Sequence, residues 1–212
     1  MPGDIEIAAV QLPGREWRIH EALADSMDLL ASDALESIKP YLDKPFALLG
    51  TSMGGTLIFE LARRLRDHGL PEPVCLVPCA CGAPHLPEPK PLHQLPDAEL
   101  LAEIRAYGVM SDELQQHPEL QQLFLPIIRN DCVAHETYTC ADDAPFDYPI
   151  WVYAGLYDDT IEAERLSAWA AHTSNDSHVH MVDGGHLFVD EAPDLFISSL
   201  SRRLLSTLER SR

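Results

Sequence analysis

Nowhere in this chain does an apolar run approach the roughly 18 residues that a membrane-spanning helix needs. The opening residues, Met1-Pro2-Gly3-Asp4, carry no basic stretch leading into a long apolar one. Neither a membrane anchor nor a secretory signal is expected, and a cytoplasmic location is. Basic residues are scarce: 15 Lys and Arg stand against 34 Asp and Glu, a formal net charge of −19. That balance excludes general nucleic-acid binding, which draws on basic surface. It names no partner, because acidic surface also serves solubility. Cysteines number five, and Cys75, Cys79 and Cys81 crowd beside an apolar run. An odd, clustered set fits reduced thiols better than a disulfide framework. A zinc site on Cys79 and Cys81 lacks a matching second pair, so no metal is expected. Internal repeats and low-complexity tails are missing too.

What is present suits a single α/β domain spanning residues 1–212, with 46% apolar residues to build its core. Ile5–Val10 reads as a strand, and a helical pattern follows from about His20 to Leu42. Pro45–Leu49 reads as a buried strand, Thr56–His68 as an amphipathic helix and Val74–Val77 as a third strand. The proline-rich stretch from Pro84 to Pro96 excludes regular helix or central sheet. Beyond it two amphipathic segments follow without a strand between them, which predicts a helical lid inserted at about 95–139. Alternation then resumes with strands at Pro149–Ala154 and His178–Val182 and helices at Glu162–His172 and Pro193–Leu208. Such alternation implies a mostly parallel sheet with helices on both faces.

At the junction of the Pro45 strand and the next helix stands Gly50-Thr51-Ser52-Met53-Gly54, the G-x-S-x-G pattern of a nucleophile elbow. Glycine at positions 50 and 54 would let strand and helix approach closely enough for a sharp turn. The turn would lift the Ser52 hydroxyl off the sheet and leave the Met53 N–H free to donate. A plain strand-to-helix turn with a cap-like serine has the same composition, so the partners of Ser52 decide. A serine nucleophile needs a base, usually histidine, held by a carboxylate. In an open parallel sheet these groups sit in loops beyond the carboxyl ends of strands. Of the ten histidines only His186, in "VDGGHLFVDE", follows a strand with glycines that free the backbone to place its ring. His178 and His180 alternate along a strand and read as polar residues of a half-buried sheet. Asp158 and Asp159 both follow the Pro149 strand, and either could be the acid or cap the next helix. The order Ser, Asp, His is that of α/β-hydrolases.

Six blocks, in order, then resemble one family along nearly the whole chain: "AAVQLPGRE", "PFALLGTSMGG" with "FELARRLR", "LPDAELLAEIR", "PELQQLFLPIIRNDCVAHETY", the Asp-Asp segment with "AWAAHT", and "DGGHLFVDE". The sequence resembles type II thioesterases that serve polyketide and nonribosomal peptide synthetases, and the helical block separates it from ordinary esterases. The resemblance implies an α/β-hydrolase fold and an editing hydrolase of acyl thioesters carried on the phosphopantetheine arm of acyl or peptidyl carrier proteins. It implies Ser52 as nucleophile, His186 as base and then acid, and Asp158 rather than Asp159 as the orienting carboxylate, counted from Gly155. It implies no cofactor beyond the arm of the substrate. Arg63, Arg64 and Arg66 are possible carrier contacts, though a solvated helix face accounts for them as well.

Two features depart from the family. Thr51 stands where histidine usually precedes the serine, which implies altered pocket polarity. Relatives also carry an extra strand and a glycine-containing loop ahead of the segment matching Ile5–Val10. That strand lies between those matching Ile5–Val10 and Pro45–Gly50, and the loop supplies a second oxyanion N–H. The present sequence begins after both, so the expectation is a truncated or mis-started chain, short of one strand and one donor. The alternatives to an editing thioesterase are a carboxylesterase with the same triad and a catalytically impaired, hydrolase-like binding module.

Overall fold

The computed structural model describes residues 5–108 and 116–210. Four short strands pair side by side in chain order to make one parallel sheet: β1 (Leu48–Thr51), β2 (Leu76–Cys79), β3 (Ile150–Gly155) and β4 (Ser177–Val182). Every residue of β3 is buried, as a central parallel strand covered on both faces requires. The alternation of side chains divides its apolar content between two cores. Ile150, Val152 and Ala154 point with Leu48 and Leu76 into a core formed with α1 (Met27–Ile38) and α2 (Met53–Asp67). Trp151 and Tyr153 point with Val77, Cys79 and Val182 to the other face. There they meet α6 (Phe188–Glu191) and α7 (Pro193–Arg210) through Phe188, Phe196, Leu200 and Leu204. Full burial of side chains of this size stabilises by about 1.5–3 kcal/mol each.

Between β2 and β3 lie a proline-rich strap and two helices, α3 (Asp97–Ala106) and α4 (Pro118–Glu136). A third, smaller apolar cluster, of Leu92, Leu100 and Ile104, holds strap and helices together. Glu136 of α4 pins the strap: its carboxylate accepts the N–H groups of Leu92 at 2.9 Å and His93 at 3.0 Å. The short α5 (Ala163–Ser167) and a 3-10 turn at Ala168–His172 complete the β3-to-β4 connection.

Three expectations from the sequence need correction. Ile5–Val10 is not a strand; it is irregular, and Ile7 and Val10 are exposed. A strand needs a neighbour, and among the described residues none lies beside it, while β1 forms one end of the sheet. The helix expected from His20 begins only at Met27, where the Ser26 side chain accepts the Leu29 N–H at 3.3 Å as its cap. Leu23 lies before that cap and packs against Gly14, where an added Cβ would come 2.3 Å from the Leu23 Cδ2. Finally, Arg63, Arg64 and Arg66 do not form a solvated face. Arg63 pairs with Glu60 at 2.6 Å and with Asp143, Arg64 with Glu60 at 3.1 Å and with Asp28. Arg66 donates to the Ala144 carbonyl at 2.8 Å and lies over the Phe146 ring.

Candidate active site

Ser52 sits where β1 turns into α2, at φ 54° and ψ −121°, a region that a residue with a side chain rarely occupies. The turn is held by backbone: the Ser52 N–H donates to Cys79 O at 2.8 Å, and its carbonyl accepts from Gly55 N at 2.8 Å. Gly50 is obligatory, because a Cβ there would stand 2.0 Å from the Gly54 oxygen. Gly54 itself is different from expectation: a Cβ on it would meet nothing within 4 Å. The second close approach belongs to Gly55, where a Cβ would come within 2.6 Å of the Cys81 Cβ. Helix and strand thus cross at Gly50 and Gly55, and Gly54 opens onto a cavity. Met53, as the first residue of α2, has no carbonyl four residues back in the helix for its N–H. β2 is followed by a second strained residue, Ala80 at φ 46°, which lines the same cavity.

At the carboxyl end of β3, Asp158 follows a turn in which its N–H reaches Gly155 O. Gly155 is forced by the neighbouring loop, since a Cβ on it would lie 2.0 Å from the Gly185 oxygen. That close crossing brings His186, just past β4, to Asp158: Nδ1 lies 2.9 Å from Oδ2. The pair is secluded, with side chains 8% and 1% exposed. Thr160 completes it by donating its N–H to Asp158 Oδ1 at 3.1 Å, together with its hydroxyl, and its Oγ1 lies 3.2 Å from His186 Nδ1. Burial by itself raises the carboxyl pKa, but the hydrogen bonds from His186 and Thr160 outweigh it and hold Asp158 below its ordinary value. A carboxylate there fixes the proton of the imidazole on Nδ1 and leaves Nε2 as an acceptor. Asp159, by contrast, is exposed.

Ser52, Met53, Thr160 and His186 share the wall of one cavity of about 450 Å³. Among the described residues no side-chain hydrogen bond joins Ser52 to His186. Such contacts often tighten only when substrate is bound. Tyr107, at the end of α3, covers the imidazole with ring centroids 5.2 Å apart. Glu88 from the strap closes another side, bound to Arg165 at 2.7 Å and to His135 at 3.5 Å. Thr51 also faces the cavity. Cys79 and Cys81, raised earlier as zinc ligands, are buried free thiols, and burial pushes Cys81 up to about 12 and Cys79 higher still. His178 and His180 are likewise not grouped with further ligands, and among the described residues no cluster of three or more His, Cys, Asp or Glu side chains could hold an ion. Thr160, Tyr107 and Gly55 were missed from sequence. Thr160 had a signal, since Asp-x-Thr commonly folds back on itself in an Asx turn. Tyr107 had none, for its contact is tertiary.

The thioesterase-domain family model matches residues 1–204. The chain belongs to the thioesterase family. The thioesterase is 33% identical over 204 residues to the gramicidin S biosynthesis protein GrsT of Aneurinibacillus migulanus, covering 96% of this chain and 80% of that one. Among solved structures it is similar to RedJ, a thioesterase from the prodiginine biosynthetic pathway in Streptomyces coelicolor. The TM-score is 0.82 at 32% identity, over 94% of this chain and 76% of that one. It is also similar to YbtT, a type II thioesterase from the yersiniabactin NRPS/PKS pathway, with a TM-score of 0.84 at 30% identity. That match covers 93% of this chain and 81% of that one. The thioesterase is therefore a thioester hydrolase of α/β fold, related to the type II enzymes. Among the described residues no helix is long and apolar enough to cross a membrane.

Proposed function

We propose that this thioesterase hydrolyses acyl groups from the phosphopantetheine arm of carrier proteins in polyketide or nonribosomal peptide synthesis, through Ser52, His186 and Asp158. The observation that carries the reading is the secluded His186–Asp158 pair, 2.9 Å apart, opening onto the cavity that holds the strained Ser52. In this reading Nε2 of His186 takes the proton of Ser52 as its oxygen attacks the thioester carbonyl. The N–H of Met53 donates to the developing oxyanion, an interaction whose loss typically costs about 3 kcal/mol of barrier. The thiolate leaves readily, and the acyl-serine is cleared by a water that His186 deprotonates. Asp158 keeps its charge throughout and steadies the imidazolium. The helical insertion at about 95–139 acts as a lid in a single domain, and the only prosthetic group in the reaction is the arm of the substrate.

The test is loss of acetyl from an acetyl-phosphopantetheinyl carrier protein, followed by intact mass, with Ser52→Ala as control. Loss that vanishes in the variant supports the reading. Equal loss with and without Ser52 rejects it, and faster turnover of a free ester than of the carrier thioester would favour a carboxylesterase instead.

A further inference from the structure

We propose that Lys90 binds the phosphate of the carrier arm at the mouth of the cavity. The inference rests on the function proposed above and names how that substrate is held. A chain of net charge −19 repels a phosphate unless a cation stands locally at its path. The arginines of α2 do not serve, since Arg63 and Arg64 are tied to Glu60 and Arg66 to the Ala144 carbonyl. Among the described residues lining the cavity, Arg165 and Lys90 are the side chains with a fixed positive charge. Arg165 is 13% exposed and committed to Glu88 and to the Pro87 carbonyl. Lys90 is 52% exposed, and its Nζ meets one partner, Glu103 of α3, at 2.6 Å.

Lys90 stands on the more exposed part of the cavity wall. α3 carries Tyr107 over His186, and Glu103 lies four residues earlier, about 6 Å along the helix axis. Exposure rises along this line: the His186 side chain is 8% exposed, Glu103 34% and Lys90 52%. The thioester belongs at the buried end and the phosphate, many bonds away on the arm, at the open end. An exposed Lys–Glu pair of this kind is weak, so exchanging Glu103 for a phosphate loses little. A lysine meets a phosphate as a point charge, which tolerates an arm that arrives from a moving carrier.

The test compares Ser52-dependent hydrolysis of three thioesters: acetyl-carrier protein, acetyl-phosphopantetheine and acetyl-pantetheine, which lacks the phosphate. Lys90→Gln is expected to raise KM for the two phosphate-bearing substrates by about tenfold more than for acetyl-pantetheine, with little change in kcat. Lys90→Arg should recover most of that loss, and Glu103→Gln, which frees the lysine, should lower KM for the same two. Calorimetric titration of Ser52→Ala with phosphopantetheine and pantetheine reads the same contrast without turnover. Equal effects of Lys90→Gln on all three thioesters, or none on any, would overturn the assignment while leaving the function intact. No Ser52-dependent turnover of any thioester would overturn the function and the assignment with it.

Discussion

Ser52 occupies a backbone conformation that costs a residue with a side chain about 1–3 kcal/mol. Glycine adopts it freely. Ser52→Gly is therefore expected to stabilise the fold by about 1 kcal/mol after the entropy of glycine is deducted, and to abolish hydrolysis. Thermal unfolding beside an activity assay checks both, and a lower Tm in the variant would mean the turn is not strained. Asp158 invites a sharper test. Asparagine keeps its size but offers an amide where His186 Nδ1 now finds a carboxylate 2.9 Å away. Asp158→Asn should lower kcat by about 10⁴-fold with little effect on KM, because the imidazole loses the tautomer and the countercharge it needs. Asp159→Asn, at an exposed position, should leave kcat within about twofold.

At the scale of elements, the seam between α2 and the sheet separates two neighbouring glycines. Gly55→Ala drives a Cβ to within 2.6 Å of Cys81 Cβ and should destabilise by about 1–3 kcal/mol. Gly54→Ala meets no atom and should stabilise the helix by up to about 1 kcal/mol while obstructing the cavity and raising KM. Denaturant titration of both proteins distinguishes the roles, and equal stability losses would contradict them. Much of this architecture was legible beforehand. Period and punctuation located all four strands and α2 within a few residues, because short apolar or alternating runs and a helical period are set off by turn residues. The order of Asp and His along those strands made the pairing of Asp158 with His186 foreseeable. Ile5–Val10 misled because an apolar, alternating segment announces the capacity to pair, and pairing depends on a neighbour that local pattern cannot contain. Gly54 misled because the G-x-S-x-G spacing does not say which glycine faces the sheet and which faces open space.

Over the whole molecule, acidity is expected to act through half-buried histidines. Burial, with the His85 charge next in importance, pushes His172 down to about 4 from an ordinary 6.5. Burial likewise lowers His180 to about 4, helped by Arg203 and His178. Between these values the unfolded chain binds protons that the folded one refuses, so stability falls as pH drops from about 6.5 toward 4 and levels off below. Asp158 has the opposite origin but adds to the same trend. Its folded pKa is depressed, so its contribution is complete above the unfolded carboxylate value and disappears as pH falls through the folded one. His172→Phe keeps a ring beside Phe59 and Trp169 and should flatten part of the decline. Tm measured from pH 7 to pH 4 in both proteins reads the difference, and parallel curves would remove His172 from the account.

The sheet is wound in chain order, with Ser52 leaving its first strand, Asp158 its third and His186 its fourth. A ribosome making this chain therefore releases the serine early and the imidazole near the end, with β2 and β3 separated by the entire strap and both helices of the insertion. Under the mechanism proposed above, the hydroxyl has no base through most of synthesis, and the nascent chain carries no reactive centre. Competence to attack a thioester arrives as a late event, when the second half of the sheet zips onto the first. The recovery of activity during refolding should accordingly lag behind the formation of helix and report the closing of the β2–β3 seam.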